Sequence, residues 1–406
     1  MSNILLTHSR SPAGSGNPLT LGAIVLLVLG AAFIGFAHGA LLAALFIVGA
    51  ALGVTLYHAA FGFTGAWRAF IVNGRGEGLR AQMLMLAVGV ILFFPVLDAG
   101  QLFGAPVRGY VSPVGLSVIA GSFMFGLGMQ LGGGCASGTL FTVGGGNARM
   151  VITLLFFCVG SVLGTVNFDW WTSLPHMAPI SLVDRFGAGG AMALSLLLFA
   201  LVAAITVRVE RDRHGSLEKE KVPDHHGMQR VLRGPWPVMI GGVLLALLNF
   251  LTLALAGKPW GITSAFALWG AKGAMLFGVD PTQWFYWQQP ANAHALASPV
   301  LADVTSVMDI GIILGAMIAA MFAGRFAPNL RIPLRSVLAA AIGGILLGYG
   351  ARIAYGCNIG AYFGGVVSGS VHGWLWLVFA FLGNMLGVKL RPFFFKQPPA
   401  GITKTA

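Results

Sequence analysis

The stretch Gly126-Leu-Gly-Met-Gln-Leu-Gly-Gly-Gly-Cys135-Ala-Ser-Gly138 returns later in the same chain as Gly348-Tyr-Gly-Ala-Arg-Ile-Ala-Tyr-Gly-Cys357-Asn-Ile-Gly360. Gly126, Gly128, Gly134, Cys135 and Gly138 recur as Gly348, Gly350, Gly356, Cys357 and Gly360 at one constant displacement. One residue out of that register, Gly160 and Gly164 are matched by Gly383 and Gly387. A fainter echo joins Gly62-Phe-Thr-Gly-Ala-Trp67 to Gly261-Ile-Thr-Ser-Ala-Phe266. The chain therefore consists of two halves on one plan, and each half sets a cysteine in a glycine-dense turn between apolar runs.

The residues around these turns fix the solvent. Of the 406 residues, 57% are hydrophobic and 9% charged, against roughly 25% charged in a soluble domain. Apolar runs near the membrane-spanning length of about 20 residues fall at 20–37, 40–57, 82–97, 113–130, 150–167, 187–207, 237–256, 305–324, 335–352 and 372–390. Between them lie apolar, glycine-broken pieces too short to cross, at 60–73, 133–146, 259–275 and 355–370. Such pieces predict re-entrant or half helices. The expected fold is all-α, a polytopic membrane helix bundle with inverted repeats and re-entrant half helices. The formal net charge of +12 does not point to nucleic acid. The basic residues sit between apolar runs, where topology places them, and no RNP, helix-turn-helix or zinc-finger pattern is present. Residues 1–18 carry one Arg and one His and lack the cleavage pattern of a secretory signal, so Leu21–Ala37 reads as a retained span.

The longest polar loop carries Arg208, Arg211, Arg213, Lys219, Lys221, Arg230 and Arg233, and the tail carries Lys389, Arg391, Lys396 and Lys404. Arg75 and Arg80 mark a further basic loop, and Arg325, Arg331 and Arg335 another. Segments 168–186 and 280–303 hold acids, aromatics and prolines, with Arg185 their one Lys or Arg. The positive-inside rule makes the basic loops cytoplasmic and the other two external, with both termini in the cytoplasm. Span 113–130 then runs inward and its partner 335–352 outward, so the repeat is inverted. That construction places a binding site near the midplane, between the repeats. The chain divides into an N-terminal transmembrane half, 1–207, with repeat 1 at about 40–167; a cytoplasmic linker, 208–235; and a C-terminal half, 236–406, with repeat 2 at about 237–390. Spans 20–37 and 187–207 find no partner in the repeat. The linker mixes Glu, Lys, Asp and His and reads as a solvated connector.

Glycine permits positive φ and close backbone approach, so a helix can break inside the membrane and present free N–H groups. Those groups, with the helix dipole, make an anion site. It needs no buried cation, whose desolvation is costly, and passage requires that binding be favourable but weak. A cysteine adds a weak donor and a polarizable sulfur, suited to a soft terminal sulfur atom. The neutral thiol is the form that serves, because a thiolate would repel the anion. Candidate substrate-binding residues are Cys135, Gly134, Ser137, Gly138 and Thr139 in the first turn, and Cys357, Gly356, Asn358 and Gly360 in the second. Ser137, Thr139 and Asn358 are also residue types that cap helices. Free cysteine otherwise behaves as a small buried hydrophobe, and Cys158, mid-span in Leu154-Leu-Phe-Phe-Cys158-Val-Gly160, is read that way. Three cysteines without a C-x-x-C pair give neither a disulfide framework nor a zinc site, so no metal and no cofactor is expected.

The first copy, Gly-x-Gly-Met-x-Leu-x-Gly-Gly-Cys-x-Ser-Gly-Thr-Leu over Gly126–Leu140, resembles the signature of the YeeE/YedE family of bacterial thiosulfate transporters. The second, Gly348–Gly360, resembles that family's C-terminal motif. The resemblance covers the chain from about residue 45 to about 390. It implies an hourglass-like bundle whose re-entrant helices meet at the centre, thiosulfate uptake for sulfur assimilation, and Cys135 and Cys357 as the thiols that contact substrate. It also implies a further cysteine in the first re-entrant segment, where Gly62–Phe70 has none. Thr64 there, with Thr263 and Ser264 in the repeat mate, supplies hydroxyls that can donate instead. The alternative cargo is a selenium compound or another sulfur oxyanion such as sulfite. The chain is longer than the simplest members, mainly through 168–236 and 277–303. The partners expected are a small sulfur anion and the lipid bilayer, with a cytosolic sulfur-carrier protein on the linker as an alternative to the plain connector. One central path suits a monomer.

Other residues carry two readings each. Arg352 holds the repeat position of Gln130 and either attracts an anion at the vestibule or snorkels to the interface. Asp309 is an intramembrane acid and so a functional candidate, for proton coupling, or else an interfacial residue at the external end of its span. Lys272 has the same ambiguity. Trp170, Trp171, Trp284 and Trp287 fit an aromatic belt. His225 and His226 make a poor metal site without further ligands. No G-x-x-x-x-G-K-[ST] occurs, so the chain carries no P-loop and transport is secondary, channel-like or drawn by consumption of substrate. A membrane enzyme with Cys135 or Cys357 as sulfur-accepting nucleophile is the reading from another class. Such a nucleophile needs a base beside it, and no His, Asp or Glu lies within four residues of either cysteine.

Overall fold

A computed structural model describes residues 18–218 and 227–395. Lys219, Lys221, His225, His226, Lys396 and Lys404, with residues 1–17, lie outside the described residues. Helices dominate, and the short antiparallel pairings of Gln101–Leu102 with Ala105–Pro106, a hairpin, and of Val114–Gly115 with His176–Met177, which ties two loops distant in sequence, only tidy the loops. The helices that matter are α1 (Pro18–His38), α2 (Ala40–His58), α3 (Phe63–Asn73), α4 (Glu77–Ala99), α5 (Leu116–Gly132), α6 (Ala136–Gly144), α7 (Ala148–Val166) and α8 (Leu182–His214, broken at Gly187) in the first half. The second half holds α9 (Val238–Ala256), α10 (Thr263–Met275), α11 (Val304–Phe322), α12 (Leu334–Ile353), α13 (a π-helical turn, Asn358–Phe363, continued by Gly364–Val367) and α14 (Val371–Phe394). Among the described residues, 10 helical segments are long and apolar enough to cross a membrane. They fall on the ten runs expected from sequence, and the short helices α3, α6, α10 and α13 fall on the four pieces expected to be too short. The chain is a polytopic, all-α membrane bundle.

Side-chain caps and glycine stops set the helix ends. Asn147, Ser181 and Asp303 accept the N–H of Met150, Asp184 and Ser306 at the starts of α7, α8 and α11, as N-caps do. Left-handed Gly74, Gly100 and Gly257 close α3, α4 and α9. Apolar side chains left exposed, such as Leu26, Leu29 and Phe36 on α1 and Leu197 and Leu201 on α8, face what lipid would cover.

The two halves interlock rather than stand side by side. Helix α7 packs on α12 and its counterpart α14 packs on α5; α2 packs on α11 and α4 on α9; α5 meets α12 and α2 meets α9. This is the contact pattern of a two-fold relation. It also accounts for the two spans left over in the sequence. Helix α1 flanks α11, and α8 flanks α4, so the two are each other's counterparts. Their lipid-facing sequences carry little of the repeat, because lipid asks only for apolarity.

Glycine is what lets the interlocked helices approach. A Cβ on Gly126 would sit 1.9 Å from the Ala380 carbonyl oxygen, and one on its repeat mate Gly348 would sit 2.2 Å from that of Phe157. Gly160 meets the Ile345 carbonyl and its mate Gly383 that of Phe123 in the same way. The outer glycines of the repeated motif are therefore packing positions, backbone against backbone. On α2 and α11, Gly53 and Gly315 do the same against the carbonyls of Ile312 and Ala50.

Re-entry is visible in hydrogen bonds. After α9 ends, the chain turns back until the N–H of Trp260 donates to Asn249 Oδ1 at 2.7 Å, about two turns inside the helix it has just left. Between α5 and α7, Arg149 Nη2 donates to the Leu131 carbonyl at 2.6 Å and Thr153 Oγ1 to that of Gly132 at 3.1 Å. The excursion 133–147 thus leaves and rejoins the bundle at one level, with α6 inside it.

Gly315→Val, which drives a side chain into the Ala50 carbonyl at 2.0 Å, is expected to lose about 1–3 kcal/mol or more of stability. Gly22→Val, with nothing within 4 Å of its Cβ, is expected to be silent. Thermal unfolding of the two variants in detergent, read beside wild type, checks this.

Candidate anion site

Each short helix begins on a residue outside the helical region. The chain is extended at Gly62 before α3, at Cys135 before α6 and at Cys357 before α13, and it is irregular at Ile262 before α10. At both cysteines the thiol takes the place of the usual Ser or Asp cap. Cys135 Sγ accepts from the N–H of Gly138 at 3.4 Å, and Cys357 Sγ from that of Ile359 at 3.4 Å. The turns that aim them are left-handed at equivalent positions, Gly133 with φ 92 and Tyr355 with φ 59. Gly356, also at positive φ, lies where a Cβ would stand 2.7 Å from the Ala361 nitrogen. A side chain there is excluded twice over.

Both thiols are buried and unpaired. Helix α6, which Cys135 caps, packs on the π-helical turn of α13, which Cys357 caps. Tyr362 closes the same space. Its ring stands 6.0 Å from that of Phe63, 6.4 Å from that of Trp67, and stacks on Trp376 at 6.2 Å. The starts of α3, α6 and α13 are thereby brought together from both halves.

Beside the thiols lie polar atoms with nothing to bond. Asn358 Oδ1 and Nδ2, Thr64 Oγ1 and the Tyr362 hydroxyl are all buried and have no hydrogen-bond partner in the protein. Buried groups of that kind are rare and call for a ligand or water. The other sequence candidates are distributed differently. Ser137 Oγ sits 3.4 Å from Cys135 Sγ. The Thr139 hydroxyl donates to the Cys135 carbonyl at 2.8 Å and so serves its own helix. Gly134 and Gly138 pack against the cap, and Gly360 opens on free space. Thr263 is buried. Ser264 is exposed and donates to Thr305 Oγ1 at 3.1 Å, away from the thiols.

The re-entrant starts are held by a matched pair of brackets. Gln130 Nε2 donates to the Thr64 carbonyl at 3.1 Å, and Arg352 Nη2 donates to the Thr263 carbonyl at 3.3 Å. Gln130 is itself fixed by Asn384 at 2.9 Å. Arg352 is fixed by the Tyr286 hydroxyl, with its guanidinium 4.8 Å from the centre of that ring. Arg352 is thus buried and does not snorkel. Lys272 donates to the Leu296 carbonyl at 2.8 Å. Asp309 is fully buried. Of the four tryptophans placed in a belt, Trp287 is instead packed with Phe168, Leu268 and Tyr286 beneath the 277–303 segment.

Sequence reading missed Tyr362 and Tyr110. The repeat offered no signal for the first, since its mate is Leu140. Tyr110 lies in a loop, donates to the Pro259 carbonyl at 2.6 Å, and stands against Gly261 and Gly364 beside Cys357. Burial raises the Tyr110 phenol, so it is a neutral donor. Burial lowers Lys258 nearby, opposed by the Asp303 carboxylate. Short-helix N-termini, two thiols and the unpartnered Asn358 amide give this place the chemistry that suits a small anion without a salt bridge.

Comparison with known proteins agrees with this chemistry. A family described as "Sulphur transport" matches residues 58–386. The chain is 30% identical over 351 residues to the "Thiosulfate transporter TsuA" of Spirochaeta thermophila, covering 83% of this chain and 95% of that protein. It is 26% identical over 356 residues to the "Thiosulfate transporter TsuA" of Escherichia coli, covering 83% and 91%. The "Probable transporter YedE" of Escherichia coli is 33% identical over 162 residues, 39% of each chain. The matched region contains both cysteine turns and all four short helices, and the chain belongs to the sulphur transport family.

Proposed function

We propose that the protein takes up thiosulfate across a bacterial inner membrane, through a central path in which Cys135 and Cys357 contact the anion in turn. The observation that carries this reading is the set of unpartnered buried atoms on Asn358, Thr64 and Tyr362, gathered with two thiols at the short-helix starts. Backbone N–H groups and the Asn358 amide suit the oxygens of the anion, and the thiols suit its terminal sulfur. The TsuA names of the relatives point to the same cargo. Division into halves at the 208–235 linker, with both termini in the cytoplasm, follows from the basic loops, and a single chain supplies the whole path. A sulfur-accepting enzyme is disfavoured. Both thiols interact with backbone N–H groups, and Cys135 with the Ser137 hydroxyl, and no histidine or carboxylate among the described residues hydrogen-bonds to either. Thr64 in the first re-entrant helix keeps a selenium or other sulfur oxyanion as the second cargo, because a hydroxyl there is less selective for soft sulfur than a thiol.

In a strain without its own sulfate and thiosulfate uptake, the wild-type chain is expected to restore growth on thiosulfate as sole sulfur source. Cys135→Ala and Cys357→Ala are expected to abolish it at equal membrane level, with Cys158→Ala close to wild type. Equal growth with both motif variants would remove the thiol relay, and better competition by selenite or sulfite than by thiosulfate would change the cargo.

Asn358→Ala removes a donor to a charged ligand, worth roughly a ten- to hundredfold weakening of thiosulfate uptake affinity. Thr139→Val removes a bond within α6 instead, so it is expected to lower thermal stability by about 1 kcal/mol and leave affinity near wild type. Uptake kinetics and detergent melting measured on both variants separate the two roles.

A further inference from the structure

Asp309 lies on α11, beyond the capping turn, with a relative exposure of 0%. Neither of its carboxyl oxygens has a hydrogen-bond partner, and no ion pair among the described residues includes it. The helix does not need it. Asp303 does the capping, accepting from the Ser306 N–H and hydroxyl at 2.8 and 2.7 Å. An unpaired buried acid is a cost to folding that an apolar residue of like size would not carry. In a membrane interior such a residue marks an ion or proton pathway.

Its surroundings narrow the choice. Helix α2 meets α11 through Phe46, Gly49, Ala50 and Gly53 and brings no charge there. Helix α10 offers Trp269, whose indole donates to Ser306 Oγ at 2.9 Å, and Lys272, which is committed to the Leu296 carbonyl. Helix α6 brings Gly144 against Ile313, and α1 brings Ile34 into the cluster of Val307, neither titratable. The titratable groups whose charge reaches Asp309 are Cys357 in the anion site, Cys158 of α7, and Asp303 on its own helix. Among the described residues no cation forms an ion pair with it, and its helix reaches the anion site by packing: α11 lies against α6, the helix that Cys135 caps, and Met308 and Ile312 beside Asp309 share one buried cluster with Cys135 and Cys357.

We infer that Asp309 is the proton site that couples inward movement of the anion to the proton gradient. This rests on the transport reading above. An ionised Asp309 repels an anion from Cys357; a protonated one does not. By linkage, anion binding then favours protonation as much as protonation favours anion binding. One proton from external water joins the carboxylate to give the neutral acid, crosses with the anion, and leaves to the cytosolic side; no other bond is made or broken. An inside-negative potential opposes entry of a dianion, and the proton offsets one of its charges.

The test uses the full chain in proteoliposomes with potassium and valinomycin on both sides, which holds the voltage at zero. With the outside one pH unit more acidic, labelled thiosulfate is expected to accumulate up to about tenfold above equilibrium, the ratio that one coupled proton permits, and a protonophore is expected to collapse it. Asp309→Asn is expected to bring thiosulfate to equilibrium and no further. Wild type that equilibrates without accumulating, or Asp309→Asn that accumulates as wild type does, overturns the inference while leaving the transport reading in place. No entry of thiosulfate into wild-type vesicles overturns both. Should Asp309→Asn fail to insert, thiosulfate added to unbuffered wild-type protein in detergent decides, since the inference requires proton uptake seen by an indicator dye and the absence of uptake overturns it.

Discussion

Inside a bilayer every backbone N–H and C=O must find a partner within the protein, and four interrupted helices place that demand at the centre of this one. The carbonyls at the breaks are met by side chains from neighbouring helices. Arg149 takes that of Leu131, Thr153 that of Gly132, Arg391 that of Gln130, and Trp376 that of Gly356. The N–H groups at the starts of α6 and α13 are met only in part, by thiols at 3.4 Å. Sulfur is a weak acceptor, so these N–H groups stay available to a stronger one. The same accounting that stabilises the breaks leaves the site electropositive without a lysine in it.

Such a site works only if its walls keep still. Helices that touch backbone to backbone through Gly126, Gly160, Gly348 and Gly383 have no side chains between them to rearrange, and each contact joins one half to the other. The brackets from Gln130 to Thr64 and from Arg352 to Thr263 then carry that rigidity to the re-entrant helices. Helices α1 and α8, which flank the bundle and expose apolar surface, can be changed without touching the path.

Much of this was legible because hydropathy and repetition are coarse signals. Ten apolar runs and four short pieces reappear as helices within a few residues of their expected bounds, and the paired cysteines cap helices at matched positions. The finer assignments needed contacts. Gly126 and Gly348 belong to the motif, yet sequence cannot separate a glycine that lets backbones meet from one that opens a ligand cradle. Thr139 beside Cys135 looked like a donor and its hydroxyl serves its own helix. Ser264 faces outward while Thr263 faces inward, a distinction of one helical position. Tyr362 was invisible because an aromatic residue in an apolar run has no pattern of its own.

The two-fold plan stops short of the charges. Gln130 and Arg352 occupy one repeat position and make one kind of bond, yet the first is neutral and the second a cation held by Tyr286 from a segment with no counterpart in the first half. Asp309 sits on α11, whereas α4, its counterpart, has no acid between Glu77 and Asp98. Backbone geometry is thus shared, and side chains add the electrostatic asymmetry, with Arg352 and Asp309 of the second half the buried members of it. A symmetric path binds an anion equally well from either face. Buried groups of unlike sign on one half break that equality and allow the anion to be held more tightly in one state than in another, which is the condition for coupling rather than leakage.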